Sequence, residues 1–320
     1  MSESKKKISI ICPCFNEEDN IPIFYKRILD LFENKNNILN NYLYEIIIVD
    51  DFSTDNSRKL LTEIANSDTR IKIIFNARNY GVYRTAYHGL KYATGDFVVP
   101  MLPVDMQDPP EFVENMMQKK IKSNKSIIYG IKKERDEGYI VKNLRHFFYF
   151  IVNKLSSSKI PENAGEFQIV DKKIIDKILE NYDYYPYIRG KLALITSDSE
   201  GLEYKWEKRI KGKTKHNFLN LYDHAMNGLI STGISALRLC MLLGIIISFI
   251  SFGFVLYQIY EYFFIDKIVF DGIPTIISGF FGLMGVMMLF IGLIGEYIGA
   301  IHQQVRKNEI LHASKTINID

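Results

Sequence analysis

Short apolar runs separated by polar loops fill the first two thirds of the chain. Four of these runs are rich in β-branched residues and have the length of buried strands: Ile8–Cys12, Tyr44–Val49, Ile71–Phe75 and Phe97–Leu102. Segments with helical spacing lie between them, beginning near Pro22, Leu60 and Thr85. Because strands alternate with helices, the pattern predicts an α/β fold. We expect a doubly wound, mostly parallel sheet with helices on both faces.

The chain after Glu111 is less regular. Ser126–Gly130 and Ser197–Lys208 are predicted as strands, and Ile174–Leu179 as a short helix. Glu162–Gln168 is predicted as a polar loop. Tyr139–Leu155 is predicted as a helix with an aromatic face, which either packs in the core or rests on lipid.

Polar and acidic residues follow three of the predicted strands. The loops are Cys14–Glu18, Asp50–Asp55 and Val104–Asp108. In an open α/β sheet the carboxyl ends of the strands border the crevice in which ligands bind. We therefore expect these loops to gather at one edge of the sheet, where a nucleotide can lie.

The loop at Asp105, Gln107 and Asp108 carries the candidate chemistry. Two carboxylates and an amide oxygen suit a hard cation such as Mg²⁺ or Mn²⁺, and through it a diphosphate. The alternative is an ordinary polar turn without a metal, because Asp and Pro are common turn residues. The chain has no G-x-G-x-x-G after the first strand and no Walker A sequence. A bound diphosphate would therefore be neutralised by a cation rather than by a glycine-rich helix start.

The last third of the chain contains two long uncharged apolar runs. They predict membrane spans at about 238–260 and 272–296, since each run can cross about 30 Å of hydrocarbon as a helix. A buried core helix of a soluble protein is the alternative for each. Residues 216–235 have helical spacing of apolar side chains and predict an amphipathic interfacial helix. The expected organisation is a catalytic domain over 1–215, this interfacial helix, a membrane hairpin over 236–308 and a tail over 309–320.

Basic residues predict the orientation of the hairpin. They cluster before the first span and follow the second, whereas the intervening loop is mostly acidic. We therefore expect the catalytic domain and both termini on the cytoplasmic side. Gly295 and Gly299 form a G-x-x-x-G pair, which packs either the hairpin or a homo-oligomer.

Composition and charge add a few limits. A net charge of +3 over 320 residues gives no argument for a nucleic-acid partner. Three cysteines provide no disulfide framework, which favours a reducing, cytoplasmic setting for the catalytic domain. The first residues, MSESKKK, lead directly into a strand and contain no signal-peptide pattern.

Several motifs, taken in order, resemble the inverting glycosyltransferases of the GT-A fold. They are ISIICPCFNEE at Ile8–Glu18, DDFSTD at Asp50–Asp55, RNYG at Arg78–Gly81, Gly95-Asp96 and DMQDP at Asp105–Pro109. The basic loop RIKGKTK at Arg209–Lys215, followed by the predicted hairpin, is similar to the polyprenyl-phosphate glycosyltransferases. These include dolichol-phosphate mannose synthases and undecaprenyl-phosphate glucosyltransferases.

The resemblance implies roles for particular residues. Asp105 and Gln107 would bind Mg²⁺ or Mn²⁺, and Glu166 would act as a weak base or an orienting group. Arg209, Thr214 and Lys215 would hold the acceptor phosphate, with Arg209 and Lys215 also assisting catalysis. The nucleotide-sugar site would comprise Pro13, Phe15, Asn16, Glu17, Asp51, Arg78, Asn79 and Gly81.

The chain departs from the family pattern in several places, including Val82–Arg84, which replaces the more common Lys-rich continuation after Asn-x-Gly. Pro103 stands where the metal motif normally begins with Asp, Glu166 replaces an Asp, and Gln168 replaces an Arg. The metal site is therefore either weaker or built with Asp108.

The resemblance implies a membrane-bound enzyme that transfers a sugar from a nucleotide-diphosphate donor to a polyprenyl phosphate. A UDP-sugar is favoured over a GDP-sugar as the donor. Such a reaction would serve cell-envelope glycan synthesis at a bacterial inner or plasma membrane. Two alternatives stay open. One is a GT-A glycosyltransferase with another lipid-linked or glycan acceptor, and the other is a non-catalytic scaffold that binds nucleotide sugars.

Overall fold

The computed structural model describes residues 5–133, 164–180, 186–207, 272–305 and 311–319, together with scattered positions between 237 and 264. The basic loop 209–215, the predicted interfacial helix 216–235 and the predicted aromatic helix 139–155 lie outside the described residues.

The described strands form one mixed sheet in the order β7-β5-β6-β4-β1-β2-β3-β8. Its centre is parallel, because β1 pairs in parallel with β2 and β4, and β2 with β3. Strands β6 and β8 run antiparallel to their neighbours, whereas β5 and β7 pair in parallel. The strands are β1 Lys7–Cys14, β2 Leu43–Asp50, β3 Ile71–Asn76, β4 Phe97–Val99, β5 Ile127–Lys132, β6 Ala164–Asp171, β7 Ser199–Tyr204 and β8 Ala313–Ile317.

Helices cover both faces of the sheet, as predicted. The helices are α1 Ile21–Glu33, α2 Ser57–Ser67, α3 Val82–Leu90, α4 Phe112–Ser123, α5 Lys172–Leu179, α6 Ile188–Ile195 and α7 Gly272–Val305. Alternate residues of a strand point to opposite faces. Ile10 accordingly packs in a core cluster with residues of α1, α2 and α4, whereas Ile11 packs in a second cluster with residues of α3, α5 and α6.

A buried carboxylate on β2 joins the strands at the end of the sheet where they begin. Glu45 is 1% exposed and accepts hydrogen bonds from Lys7 Nζ at 2.7 Å, Ser9 Oγ at 2.5 Å and Thr94 N at 2.7 Å. Lys72 Nζ lies 2.9 Å from the same carboxylate. Burial raises the pKa of Glu45, but the hydrogen bonds from Lys7, Ser9, Thr94 and Lys72 outweigh it and bring the pKa to about 2.

Two segments differ from the sequence prediction. The strand predicted over Phe97–Leu102 ends at Val99, since Pro100 has no N–H to continue a ladder. The backbone still follows β1, with Leu102 N donating to Ile11 O at 2.8 Å. The predicted polar loop 162–168 is wrong over its last part, which belongs to strand β6.

The C-terminal region contains a long helix and an unpredicted strand. Helix α7 includes the second predicted span, and its segment Gly282–His302 is long and apolar enough to cross a membrane, with a mean hydropathy of 1.9. Among the described residues one helix meets this criterion, whereas the prediction has two spans. The predicted two-span hairpin is therefore not confirmed. Beyond α7, residues of the predicted tail form β8, which pairs with β3 at the edge of the sheet.

Candidate active site

The loops that follow β1 and β2 are joined by side-chain hydrogen bonds. Asn16 N donates to Ser53 Oγ at 2.9 Å, and Thr54 N donates to Asn16 Oδ1 at 2.8 Å. Glu17 N donates to Ser57 Oγ at 2.9 Å. Asn16 has a φ of 54°, a left-handed conformation that Asn tolerates better than most residues. These two loops therefore lie together, as predicted.

Asp51 connects the end of β2 to the loop after β3. Its side chain is buried and accepts hydrogen bonds from Tyr80 N at 2.8 Å, Gly81 N at 2.8 Å and Asn76 Nδ2 at 2.9 Å. The Oδ1 atom of Asn76 in turn lies 2.8 Å from the Nδ1 atom of His88. The carboxylate is thereby fixed in position: Oδ1 accepts two of these hydrogen bonds and Oδ2 accepts one, so Oδ2 is the oxygen with accepting capacity toward a ligand.

Asp50 precedes Asp51 and faces a different set of groups. Its Oδ2 atom accepts from Ser53 N at 3.2 Å and lies 3.2 Å from Arg58 Nε. Burial raises the pKa of Asp50. The Arg58 guanidinium also lies over the Phe75 ring at 4.8 Å and near the Phe52 ring at 5.8 Å from their centroids. Arg58 is therefore held at the rim of the site by one carboxylate and flanked by two aromatic rings.

The acidic loop after β4 has an unusual backbone. Met106 has a φ of 57° and is fully buried, whereas its neighbours Asp105 and Gln107 remain partly exposed. Gln107 N donates to Asp105 Oδ1 at 3.2 Å, so the two potential ligands share one tight turn. The buried Met106 side chain anchors this turn between them.

The donor set at this turn fits a weakly held divalent cation. Within the described residues, no three His, Cys, Asp or Glu side chains come together as a metal site. Asp105 and Gln107 offer one carboxylate and one amide oxygen. Mg²⁺ commonly takes one or two protein carboxylates and completes its shell with water and substrate phosphates. Such a site is consistent with a cation that binds together with a diphosphate.

Asp108 belongs to a neighbouring ionic cluster. Its Oδ1 atom accepts a hydrogen bond from the Tyr204 hydroxyl and lies 3.3 Å from Lys132 Nζ. Lys132 Nζ also lies 4.8 Å from the centroid of the Trp206 ring. Asp108 is thus held by a hydroxyl and an ammonium group.

Glu166 lies on β6, close to this cluster. Burial raises the pKa of Glu166, although the charges of Arg189 and Lys132 oppose the increase. Arg189 N donates to Glu166 Oε2 at 3.2 Å, and Arg189 Nε lies 3.8 Å from Oε1. Gln168 is buried and donates to Gly165 O at 3.1 Å. Arg189 therefore supplies a cation beside Glu166, although Gln168 replaces the arginine of the family pattern.

The remaining predicted site residues differ in exposure. Pro13 is buried in β1 and Phe15 is half-buried, whereas Arg78 and Asn79 are exposed. The Arg78 guanidinium lies over the Tyr80 ring at 5.1 Å from its centroid. The predicted phosphate-binding residues Arg209, Thr214 and Lys215 lie outside the described residues.

Several residues of the site were not predicted from the sequence. Asn76 could have been predicted, because it is the last residue of β3 and lies at the same edge of the sheet as Asp51, which follows β2. Lys132, Arg189 and Tyr204 gave no comparable signal, because each acts through a contact with a residue distant in sequence.

A family model described as "Glycosyl transferase family 2" matches residues 9–179. The chain is 30% identical over 306 residues to the prophage bactoprenol glucosyl transferase homolog of Escherichia coli K12, covering 94% of this chain and 96% of that protein. It is also 30% identical over 305 residues to the SfII prophage-derived bactoprenol glucosyl transferase of Shigella flexneri, covering 94% and 95%.

Among solved structures, the chain is similar to the mannosyltransferase PcManGT from Pyrobaculum calidifontis in complex with GDP-Man and Mn²⁺. The two are 14% identical, with a TM-score of 0.45 over 92% of this chain and 88% of that chain. The family match and the two curated relatives establish that this chain belongs to glycosyl transferase family 2 and is a glycosyltransferase.

Proposed function

We propose that the enzyme transfers a sugar from a nucleotide-diphosphate donor to a polyprenyl phosphate, with inversion at the anomeric carbon. The acceptor class is supported by the names of the two relatives, a bactoprenol glucosyl transferase and a bactoprenol glucosyl transferase homolog, which the chain matches over almost their whole length. The donor class is supported by one observation above all. Asp51 is a buried carboxylate held by two backbone amides and Asn76 at the ligand-binding edge of the sheet.

The donor subsite comprises the joined loops after β1, β2 and β3. Asp51 would accept a hydrogen bond from the nucleobase, for which a uracil N–H is suitable. Pro13, Phe15 and Glu17 would line the base and ribose beside it, and Asn16 fixes the loop that carries them. Arg78, Asn79 and Gly81 complete the site from the loop after β3. Arg78 is exposed and is available to an anionic ligand.

Asp105 and Gln107 would hold Mg²⁺ or Mn²⁺ in the ternary complex. When bound, the cation offsets the negative charge that develops on the leaving diphosphate. The chain itself contributes the fixed turn around Met106, which keeps both ligands adjacent.

The acceptor phosphate oxygen would attack the anomeric carbon from the face opposite the diphosphate. A new carbon–oxygen bond forms as the bond to the diphosphate breaks, and the electron pair leaves with the nucleotide. A phosphate monoester is largely ionised near neutral pH, because its second pKa is about 6. The acceptor thus needs little help from a base. Glu166 would orient it or take a residual proton, while Arg209, Thr214 and Lys215 would bind its charge.

The location proposed for this reaction is the cytoplasmic face of a bacterial inner or plasma membrane. Helix α7 supplies a segment long enough to span it, and the proposed topology keeps the catalytic domain and both termini in the cytoplasm. The product would be a lipid-linked sugar for assembly or modification of a cell-envelope glycan.

The test uses full-length protein in detergent with undecaprenyl phosphate, Mg²⁺ or Mn²⁺, and a panel of UDP- and GDP-sugars. Released nucleotide diphosphate and a new glycolipid of the expected mass would support the proposal. Donor consumption with another lipid-linked or glycan acceptor alone would contradict the acceptor assignment. Binding of a donor without turnover on any acceptor would favour a non-catalytic scaffold.

Substitution of Asp105 tests the cation site within this assay. Asp105→Asn should lower turnover by about 100-fold or more, because it removes the charged ligand while preserving shape. Asp30→Asn is the matched control, since Asp30 is an exposed carboxylate on α1. Full turnover by Asp105→Asn would show that the metal assignment is wrong.

A further inference from the structure

Phe52 has a backbone conformation that is unfavourable for a large side chain. Five non-glycine residues in the described part of the chain have a positive φ, and Phe52 has the largest value, 66°. Three of the five are Asn, which tolerates this region through its short polar side chain. Met106 is the fourth, and complete burial of its side chain offsets the strain. Phe52 lacks that compensation, because it is 43% exposed.

Phe52 lies where the loops predicted to bind the donor meet. Asp51 precedes it and is bound to the loop after β3, while Ser53 follows it and accepts a hydrogen bond from Asn16 N in the loop after β1. The Phe52 ring is therefore carried by a segment fixed on both sides. A strained backbone and an exposed aromatic ring at such a point indicate a functional constraint rather than packing.

Arg58 extends the surface that the Phe52 ring presents. Its guanidinium lies 5.8 Å from the ring centroid and is held by Asp50 Oδ2 at 3.2 Å. Aromatic rings and guanidinium planes are the two surfaces on which proteins stack nucleobases. The Phe52 ring is not part of either core cluster.

We propose that Phe52 is a base-stacking residue of the donor site and that its ring forms the outer wall against the nucleobase of a nucleoside diphosphate. The inference rests on the proposed function, since it assigns a residue to the donor subsite. It adds an aromatic contact from the loop after β2 to the contacts expected from the loop after β1.

The experiment titrates full-length protein in detergent with UDP, GDP and pyrophosphate by calorimetry. Phe52→Gly removes the ring and relieves the left-handed strain, so its unfolding temperature should stay the same or rise. Its Kd for the preferred nucleotide should increase by about 5- to 100-fold, the usual range for loss of one stacking contact. Its affinity for pyrophosphate, which has no base, should not change.

Three further variants separate stacking from effects on the loop. Phe52→Leu keeps the apolar bulk and the strain but has no aromatic face, and it should lose affinity in the same way. Phe52→Tyr should bind like the wild type. Asn124→Gly relieves a left-handed residue at the end of α4 and should leave nucleotide affinity unchanged.

Wild-type nucleotide affinity in both Phe52→Gly and Phe52→Leu would overturn the inference and leave the proposed function standing. An equal loss of UDP and pyrophosphate affinity would also overturn it, since that pattern indicates a general disturbance of the loop. If the wild-type protein bound neither UDP nor GDP, the donor site itself would be refuted, and the inference with it.

Discussion

Protonation of His88 should weaken the structure that holds Asp51. His88 lies on α3 and is 3% exposed. Asn76 Nδ2 donates to Asp51, so Asn76 Oδ1 is the acceptor for His88 Nδ1–H, and the proton-free ring nitrogen is Nε2. Burial lowers the pKa of His88 to about 4, and the charges of Lys91 and His312 act in the same direction. Protonation would add a buried charge at Nε2.

The expected magnitude follows from the difference between the folded and unfolded pKa values. The pKa of His88 falls from 6.5 to about 4 on folding. The unfolded chain therefore binds more protons between these values, so stability is fully present above pH 6.5 and decreases as the pH falls toward 4. By this linkage, His88 should cost the folded state about 2 kcal/mol at pH 5, relative to pH 7.5.

Urea unfolding at several pH values between 5 and 7.5 measures this cost. Trp206, the one tryptophan in the sequence, provides the fluorescence signal from within the catalytic domain. His88→Gln serves as the comparison, because its amide can donate to Asn76 Oδ1 and does not titrate. The wild type should lose about 2 kcal/mol more than His88→Gln over this interval. If the free energy of unfolding depended on pH equally in the two proteins, the conclusion that His88 is buried in its neutral form would be refuted.

Two other predictions concern stability. Glu45→Gln should destabilise the sheet by about 3 kcal/mol at neutral pH, because the pKa of Glu45 is lowered from 4.5 to about 2 by its hydrogen bonds. The wild-type contribution should be lost as the pH falls from about 4.5 to about 2, and an unchanged acid-unfolding midpoint in Glu45→Gln would contradict this. Asn318→Ala should release the C-terminal strand, since Asn318 Nδ2 donates to Ala65 O at 2.7 Å and Ile71 O at 2.8 Å. We expect a loss of about 1–3 kcal/mol and faster proteolysis of the tail, with Ser67→Ala as an exposed control; equal proteolysis rates would exclude the anchoring role.

The central strands could be predicted because their residues are buried on both faces. Ile8–Cys12 and Tyr44–Val49 are continuous apolar runs, and the structure places both in the middle of the sheet. The convergence of the loops after β1 and β2, at Asn16 and Ser53, followed from the same prediction, since parallel strands end at one edge. The family assignment, which rested on motifs at these ends, is confirmed.

Other parts of the site depend on contacts that local patterns do not reveal. Strand β6 carries Glu166 and Gln168, whose polar side chains suggested a loop, although β6 pairs with both β4 and β5. The ionic cluster of Asp108, Lys132 and Tyr204 joins residues up to 96 positions apart. Strand β8 is short and half polar, and it pairs with β3 about 240 residues away in sequence. Such features follow from tertiary packing and not from periodicity.

The pairing of β8 with β3 has a consequence for the order in which the chain is made. Strand β3 leaves the ribosome early, whereas β8 is synthesised only after the apolar helix α7. The edge of the sheet therefore remains open during synthesis, with its N–H and C=O groups free to pair with other strands. His312 O accepts a hydrogen bond from Ala77 N, next to the loop that binds Asp51. The sheet thus reaches its final form only after translation has passed helix α7.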